Sequence, residues 1–311
     1  MKAFVFRYSQ SHKWARSIKT GIPFFFLILF SFTAPCLHAA EFDSLEDDGV
    51  DVLFPSTLGA AAKEAVQMIP GIKNDLQETF GWSFNFKPTI ILMKDSRRFR
   101  KMTHSPLIVG FAIPKKDLVV IDYPGIKNPK NFQNILKHEL CHLLLHKHIQ
   151  NVHIPRWFDE GLAQWTSNGI MDILHDQRDA LLPKAAFSDR LIPLGALNKG
   201  FPGNENALRL AYEESRSLID YIISTYGKSG LLEISALMKE NVPLRDAFFT
   251  AFGTPLYKIE KEWQASLKKN IVWFAHLSYY LYEILFALGG LIVVYGFIKV
   301  LRNKRAYMEE E

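Results

Sequence analysis

The chain has 311 residues, 13% of them aromatic, and a net charge of +5. That length allows one medium domain with appendages, and the small positive balance gathers at the two ends without a basic patch interleaved with aromatics, so nucleic-acid binding is not indicated. No internal repeat or low-complexity segment occurs, which excludes solenoid and fibrous architectures.

Residues 1–40 have the layout of a secretory signal. Lys2, Arg7, Lys13, Arg16 and Lys19 form a basic lead, Ile22 to Phe32 an apolar stretch, and Ala39-Ala40 a small-residue exit, the pattern that directs export. An uncleaved N-terminal anchor is the alternative. Of the two cysteines, Cys36 falls inside this segment and Cys141 is left alone, so no disulfide forms within the mature chain.

Glu41 to Pro55 is acidic and polar and is expected to be a loose lead-in. Ser56 or Thr57 starts a helix that Pro70-Gly71 is expected to break, with a second helical piece from Ile72 to Phe80, since proline inside a helix removes a hydrogen bond and clashes with the preceding turn. Thr89 to Met93 reads as a buried strand, and Arg97 to Lys101 as a solvated helix face. Leu107–Ile113 and Leu118–Asp122 flank Pro114 to Asp117 as a hairpin. It is either an internal hairpin or an exposed edge able to pair with an extended peptide.

A helix rich in chemistry is expected from near Asn131, with Ile135, Leu136, Leu140, Leu143 and Leu144 as its core contacts. Within it, His138-Glu139-Leu140-Cys141-His142 matches His-Glu-x-x-His. Positions four apart share a helix face, so both imidazoles can aim at one point with Glu139 beside it. Two neutral imidazoles on a zinc ion and a carboxylate next to the attacking water make a metal-assisted hydrolase. Cys141 points away from the histidine face and reads as a buried structural residue. A second helix, about Trp157 to Thr166, contains Glu160. Residues 170–205 show no clear pattern. Helices then follow at 207–226, 229–239, 244–251 and 256–267. Strands in the first half and helices in the second define an α+β chain.

Ser278 to Ile298 is almost wholly apolar, with Trp273, Tyr279, Tyr280, Tyr282 and Tyr295 at its borders and Lys299, Arg302, Lys304 and Arg305 after it. Such a run is long enough to span a bilayer, and its flanking charge puts the C-terminus in the cytoplasm. The expected organisation is a signal peptide over 1–40, a domain over 41–270, a transmembrane helix over 277–300 and a cytoplasmic tail over 301–311. This is a single-pass inner-membrane protein with its domain in the periplasm or extracellular space.

A catalytic zinc takes three protein ligands and leaves one position open. His146 continues the helical series, but His138 and His146 lie about 12 Å apart along a straight helix and cannot reach one ion. His148 has the spacing of the metzincin motif, yet Leu145 stands where that motif needs a glycine to turn the chain out of the helix. Glu160, carried on a neighbouring helix, is the preferred third ligand and His148 the alternative. Asp159 faces another direction and is not assigned to the metal.

The stretch Pro155-Arg156-Trp157-Phe158-Asp159-Glu160-Gly161-Leu162-Ala163 after His-Glu-x-x-His resembles the gluzincin peptidases, and more closely the bacterial peptidase-MA-like group. Weaker likeness continues through Ile192–Leu197, Ala211–Ser215, Tyr221 and Tyr226-Gly227. The resemblance implies a zincin-like fold, Zn2+ held by His138, His142 and Glu160, and Glu139 as general base and acid. It further implies a peptide or protein substrate. A tyrosine commonly stabilises the oxyanion in such enzymes, and Tyr212 is the candidate. The expected activity is peptide-bond hydrolysis outside the cytoplasm. The alternatives are an anchored binding or assembly factor with a residual zinc site, and hydrolysis of a non-peptide amide.

Overall fold

The computed structural model describes residues 42–169 and 181–309, apart from the side chains of 270–280 and 303–309. The expected signal segment, with Cys36, lies outside the described residues.

The first half builds one five-stranded sheet. Its strands are β1 (Phe42–Asp47), β2 (Val50–Pro55), β3 (Thr89–Met93), β4 (Gly110–Ile113) and β5 (Leu118–Asp122), in the order β1-β2-β3-β5-β4. β2, β3 and β5 run parallel, while β1 and β4 pair antiparallel at the two edges. The acidic lead-in is therefore not loose. Asp47 faces Val50 across a two-residue Asp48-Gly49 turn, a sequence suited to tight hairpins, and Val50, Val52 and Phe54 alternate into the core. The hairpin expected at 107–122 forms, with its first strand starting at Gly110 rather than Leu107, and β4 is an edge strand.

Helix α1 (Gly59–Phe80) corrects the expected break, for it runs straight through Pro70. Ala61, Ala65, Ile69, Ile72, Leu76 and Phe80 are all buried on one side. That continuous apolar stripe outweighs the roughly 3 kcal/mol an interior proline costs. Ser96–Thr103 forms α2, capped by the Asp95 carboxylate, which accepts from the Arg97 and Arg98 amides. Period-two alternation sorts the sheet's side chains. Ile90, Leu92, Val119 and Ile121 join the main core with α1 and α3 (Pro129–His148), whereas Met93 and Val120 cluster with Phe99 of α2.

The second half is helical among the described residues: α4 (Arg156–Thr166), α5 (Leu181–Phe187), α6 (Leu194–Leu197), α7 (Glu205–Lys239), α8 (Leu244–Phe252) and α9 (Leu256–Glu309). Helix α7 kinks at Gly227, whose positive φ of 76° suits a residue without a side chain. Fully buried Trp157, Phe248 and Trp263 knit α4, α8 and α9 into the same core. The predicted helix at 256–267 and the apolar run beyond it are one helix, α9. Its stretch Leu281–Arg302 is long and apolar enough to cross a membrane and has none of its side chains buried.

Candidate active site

The site forms where α3 and α4 pack together, between edge strand β4 and α7. Asn128 starts α3 by accepting from the Asn131 amide at 2.9 Å, and the helix then buries nearly every residue from Asn131 to Leu145. His138, Glu139 and His142 are thus held on a rigid element inside the protein rather than on its rim. Helix α4 can lie close to α7 because of Gly161. A Cβ there would stand 2.6 Å from the Ser215 carbonyl oxygen and 2.7 Å from Ile219. The glycine after Glu160 therefore sets how deeply α4 seats.

His138, His142 and Glu160 converge, all buried, with one ligand atom from each lying within 4.8 Å of the others. Glu160 Oε2 is 3.3 Å from His138 Nε2 and 3.6 Å from His142 Nε2. Ligands about 2.1 Å from a tetrahedral zinc are separated by about 3.4 Å, so the spacing fits an ion at the centre. Glu160 Oε2 is also buried with no hydrogen-bond partner, a costly arrangement unless a cation meets it. Arg156, one turn earlier, pairs with the other oxygen, Oε1. The arginine thereby leaves Oε2 for the centre. Burial alone would raise the Glu160 carboxyl, but Arg156 and then His142 hold it well below the usual range.

The tautomers follow from the outer partners. His142 Nδ1–H donates to Asp159 Oδ1 at 2.6 Å, and His146 Nε2 donates to Asp159 Oδ2 at 3.0 Å. Ser167 Oγ gives its proton to the Ala163 carbonyl at 2.7 Å, so it can only accept from His138 Nδ1, at 3.4 Å. When neutral, both histidines would therefore present a bare Nε2 lone pair to the centre, the form a metal needs. Asp159 thus has a part that its sequence position did not suggest. It is not in the converging group, yet it holds His142 in place. The readable clue is that His142 and His146 share one helix face, so a single carboxylate beside Glu160 can bridge both.

Glu139 lies buried beside the two histidines, and burial raises its carboxyl above the ordinary value despite their nearby charge. Gly110 of β4 makes room for it, since a Cβ there would come 2.9 Å from Glu139 Oε1. Tyr212 of α7 lines the same cleft of about 830 Å³ together with His138, Glu139, His142 and Glu160. Burial, and then the Glu160 charge, push the pKa of its hydroxyl up strongly, with the Arg156 charge opposing them. His148 is elsewhere, its ring stacked 4.0 Å from that of Trp82. Cys141 is buried behind the histidines, and burial raises its thiol to about 11.

A buried His-His-Glu group with a free carboxylate beside it, on two packed helices next to an edge strand, defines the zincin class of metallopeptidases. Residues 106–269 match the profile of the Peptidase MA superfamily. That is more than half of the chain, and the chain belongs to this superfamily. Similar solved structures include aminopeptidase A of Legionella pneumophila, 11% identical with a TM-score of 0.42, covering 72% of this chain and 27% of that one. The M1 zinc metallopeptidase of Deinococcus radiodurans is 12% identical with a TM-score of 0.43, covering 73% and 51%. Leukotriene A4 hydrolase of Saccharomyces cerevisiae is 12% identical with a TM-score of 0.42, covering 68% and 36%. The chain spans between about a quarter and a half of the length of these structures. No curated protein matches it.

Proposed function

We propose that this protein is a membrane-anchored zinc peptidase whose domain faces away from the cytoplasm. The observation that carries the reading is the convergence of His138 Nε2, His142 Nε2 and the orphaned Glu160 Oε2 beside Glu139. Two imidazoles and one carboxylate form the donor set that zinc takes in catalytic sites, with a fourth position left for water. Bound there, zinc would polarise the scissile carbonyl and bring the pKa of its water down to about 7.

Each remaining step belongs to a residue of the chain. Glu139 accepts the proton of the attacking water and returns it to the leaving amine nitrogen, a double duty suited to a carboxyl whose pKa burial has raised. Tyr212 offers its hydroxyl proton to the developing oxyanion, because burial holds its pKa high and keeps that proton on the oxygen. Edge strand β4 has an unpaired side for an extended peptide. Asp159 and Ser167 keep the imidazoles in the ligating tautomer.

In this reading residues 1–40 direct export, 41–270 form the peptidase domain, 277–300 cross the inner membrane and 301–311 remain in the cytoplasm. The exposed apolar run Leu281–Arg302 supports the span, and the basic residues after it support the sidedness. Metal analysis of the purified protein with digestion of a peptide library by wild type and Glu139→Gln tests the reading. One zinc per chain and cleavage lost only in the variant are expected. Zinc without cleavage by the wild type would favour an anchored binding factor instead.

A further inference from the structure

We infer that the cleft selects acidic peptides, with Lys115 and Lys199 as the residues that read the charge. The inference rests on the peptidase reading above and names its substrate class.

Among the described residues, all the acidic groups that line the cleft are already committed. Glu160 is paired with Arg156, Asp159 is shared by His142 and His146, and Glu139 sits at the reacting centre. The lysines are not committed. Lys115 and Lys199 line the cleft and pair with no carboxylate among the described residues, unlike Lys147, which holds Asp117 at 2.9 Å. The two stand on different walls. Lys115 lies just beyond the end of β4, so an extended peptide pairing along that strand would run toward it. Lys199 follows Asn198, whose carbonyl oxygen accepts from the Arg156 amide at 3.1 Å on the α4 side. A substrate lying in the cleft therefore meets unpaired positive charge from two walls. Both lysines are exposed, and such charge steers and favours a partner of opposite sign in a way that salt screens.

A second cavity of about 510 Å³ shares Gln150 and Asn151 with the cleft and is lined by Lys147 and Lys239 but, among the described residues, by no acidic one. It extends the path without sharpening the preference. The C-termini of α1, α3 and α7 end there, and their partial negative charge offsets the lysines. The discrimination is accordingly assigned to Lys115 and Lys199.

The test uses the full chain in detergent with three labelled peptides that share one central sequence and have aspartate, asparagine or lysine on both flanks. Binding is read by fluorescence anisotropy on zinc-loaded Glu139→Gln, and cleavage on the wild type. The aspartate peptide is expected to bind about tenfold tighter than the lysine peptide, with the gap closing as salt rises. Lys115→Glu with Lys199→Glu should reverse the order. Equal binding of the three peptides, or a lysine preference in the unreversed protein, overturns the inference. Selective binding with no cleavage by the wild type leaves the charge selection standing and removes the peptidase reading. Cleavage without charge preference does the opposite.

Discussion

His142 Nδ1 donates to Asp159 Oδ1 across 2.6 Å, and the aspartate's other oxygen accepts from His146 at 3.0 Å. One carboxylate thus ties two turns of α3 to α4 while fixing which imidazole nitrogen is free. Losing such an orienting partner typically costs 10–100-fold in metal affinity. Asp159→Asn is therefore expected to weaken zinc binding by about that factor, measured by competition with a chromophoric chelator. Affinity equal to wild type would show that His142 orients itself.

Glu139→Gln keeps the shape of the side chain and removes its ability to take a proton. General acid–base groups contribute about 10²–10⁴-fold, so kcat should fall by at least two orders of magnitude while zinc content and melting temperature hold. Retained turnover would reassign the base.

For Tyr212→Phe the expected signature is kinetic. A hydroxyl that acts only on the oxyanion lowers kcat by about 10²–10³-fold with little change in KM. The ring still packs edge-on against Phe201, at 5.0 Å between centroids, so stability should hold. A rise in KM with kcat unchanged would make Tyr212 a substrate-packing residue.

Two glycines separate packing from chemistry. Gly161→Ala puts a methyl against the Ser215 carbonyl at 2.6 Å, and overpacking of this kind costs about 1–3 kcal/mol. Its melting temperature should drop. In Gly110→Ala the new methyl meets the Glu139 carboxylate at 2.9 Å as well as Ile121 at 3.0 Å and Ile135 at 3.1 Å, so activity should drop further than in Gly161→Ala at a comparable loss of stability. The same loss of both properties in each variant would refute the separation.

Glu214 is fully buried, and burial raises its carboxyl to about 8, aided by the nearby Glu260 and Glu213 charges and opposed by the Ile192 amide at 2.9 Å. Because the folded protein holds this proton more tightly than the unfolded chain, the stabilisation is complete below pH about 4.5. It is lost as pH rises to about 8, amounting to a few kcal/mol. Glu214→Gln should remove that slope and be the more stable form at alkaline pH, as read by denaturant titrations across the range. Parallel pH profiles for the two proteins would contradict the assignment.

What could be read in advance was local. The i, i+4 histidines, the adjacent Glu139, the 107–122 hairpin and the separation of helices around Gly227 all depend on spacings within one or two elements. The His148 alternative could be weighed because Leu145 opposes a turn, and the structure keeps Leu145 helical and buried. Local rules misled at Pro70, where the apolar stripe across the kink site decides the outcome. They also passed over Asp48-Gly49 because the surrounding acids looked like a solvated tail. Ser167 and Gly110 acquire their parts only through contacts between elements far apart in the chain, which no local pattern encodes, and for Asp159 the local pattern offered only the shared face of His142 and His146.

Helix α9 begins inside the domain, where Trp263 is fully buried and donates to Ser217 Oγ at 3.0 Å and where Glu260 accepts from the Leu194 amide at 2.9 Å. It continues unbroken to the apolar stretch that starts at Leu281. Eighteen residues of helix at 1.5 Å each separate Trp263 from that point, about 27 Å. With Leu281–Arg302 seated in a bilayer, this helix acts as a mast rather than a leash. The peptidase would then sweep a thin layer at one height above the lipid, and a bond would be cut or spared according to its altitude as well as its sequence.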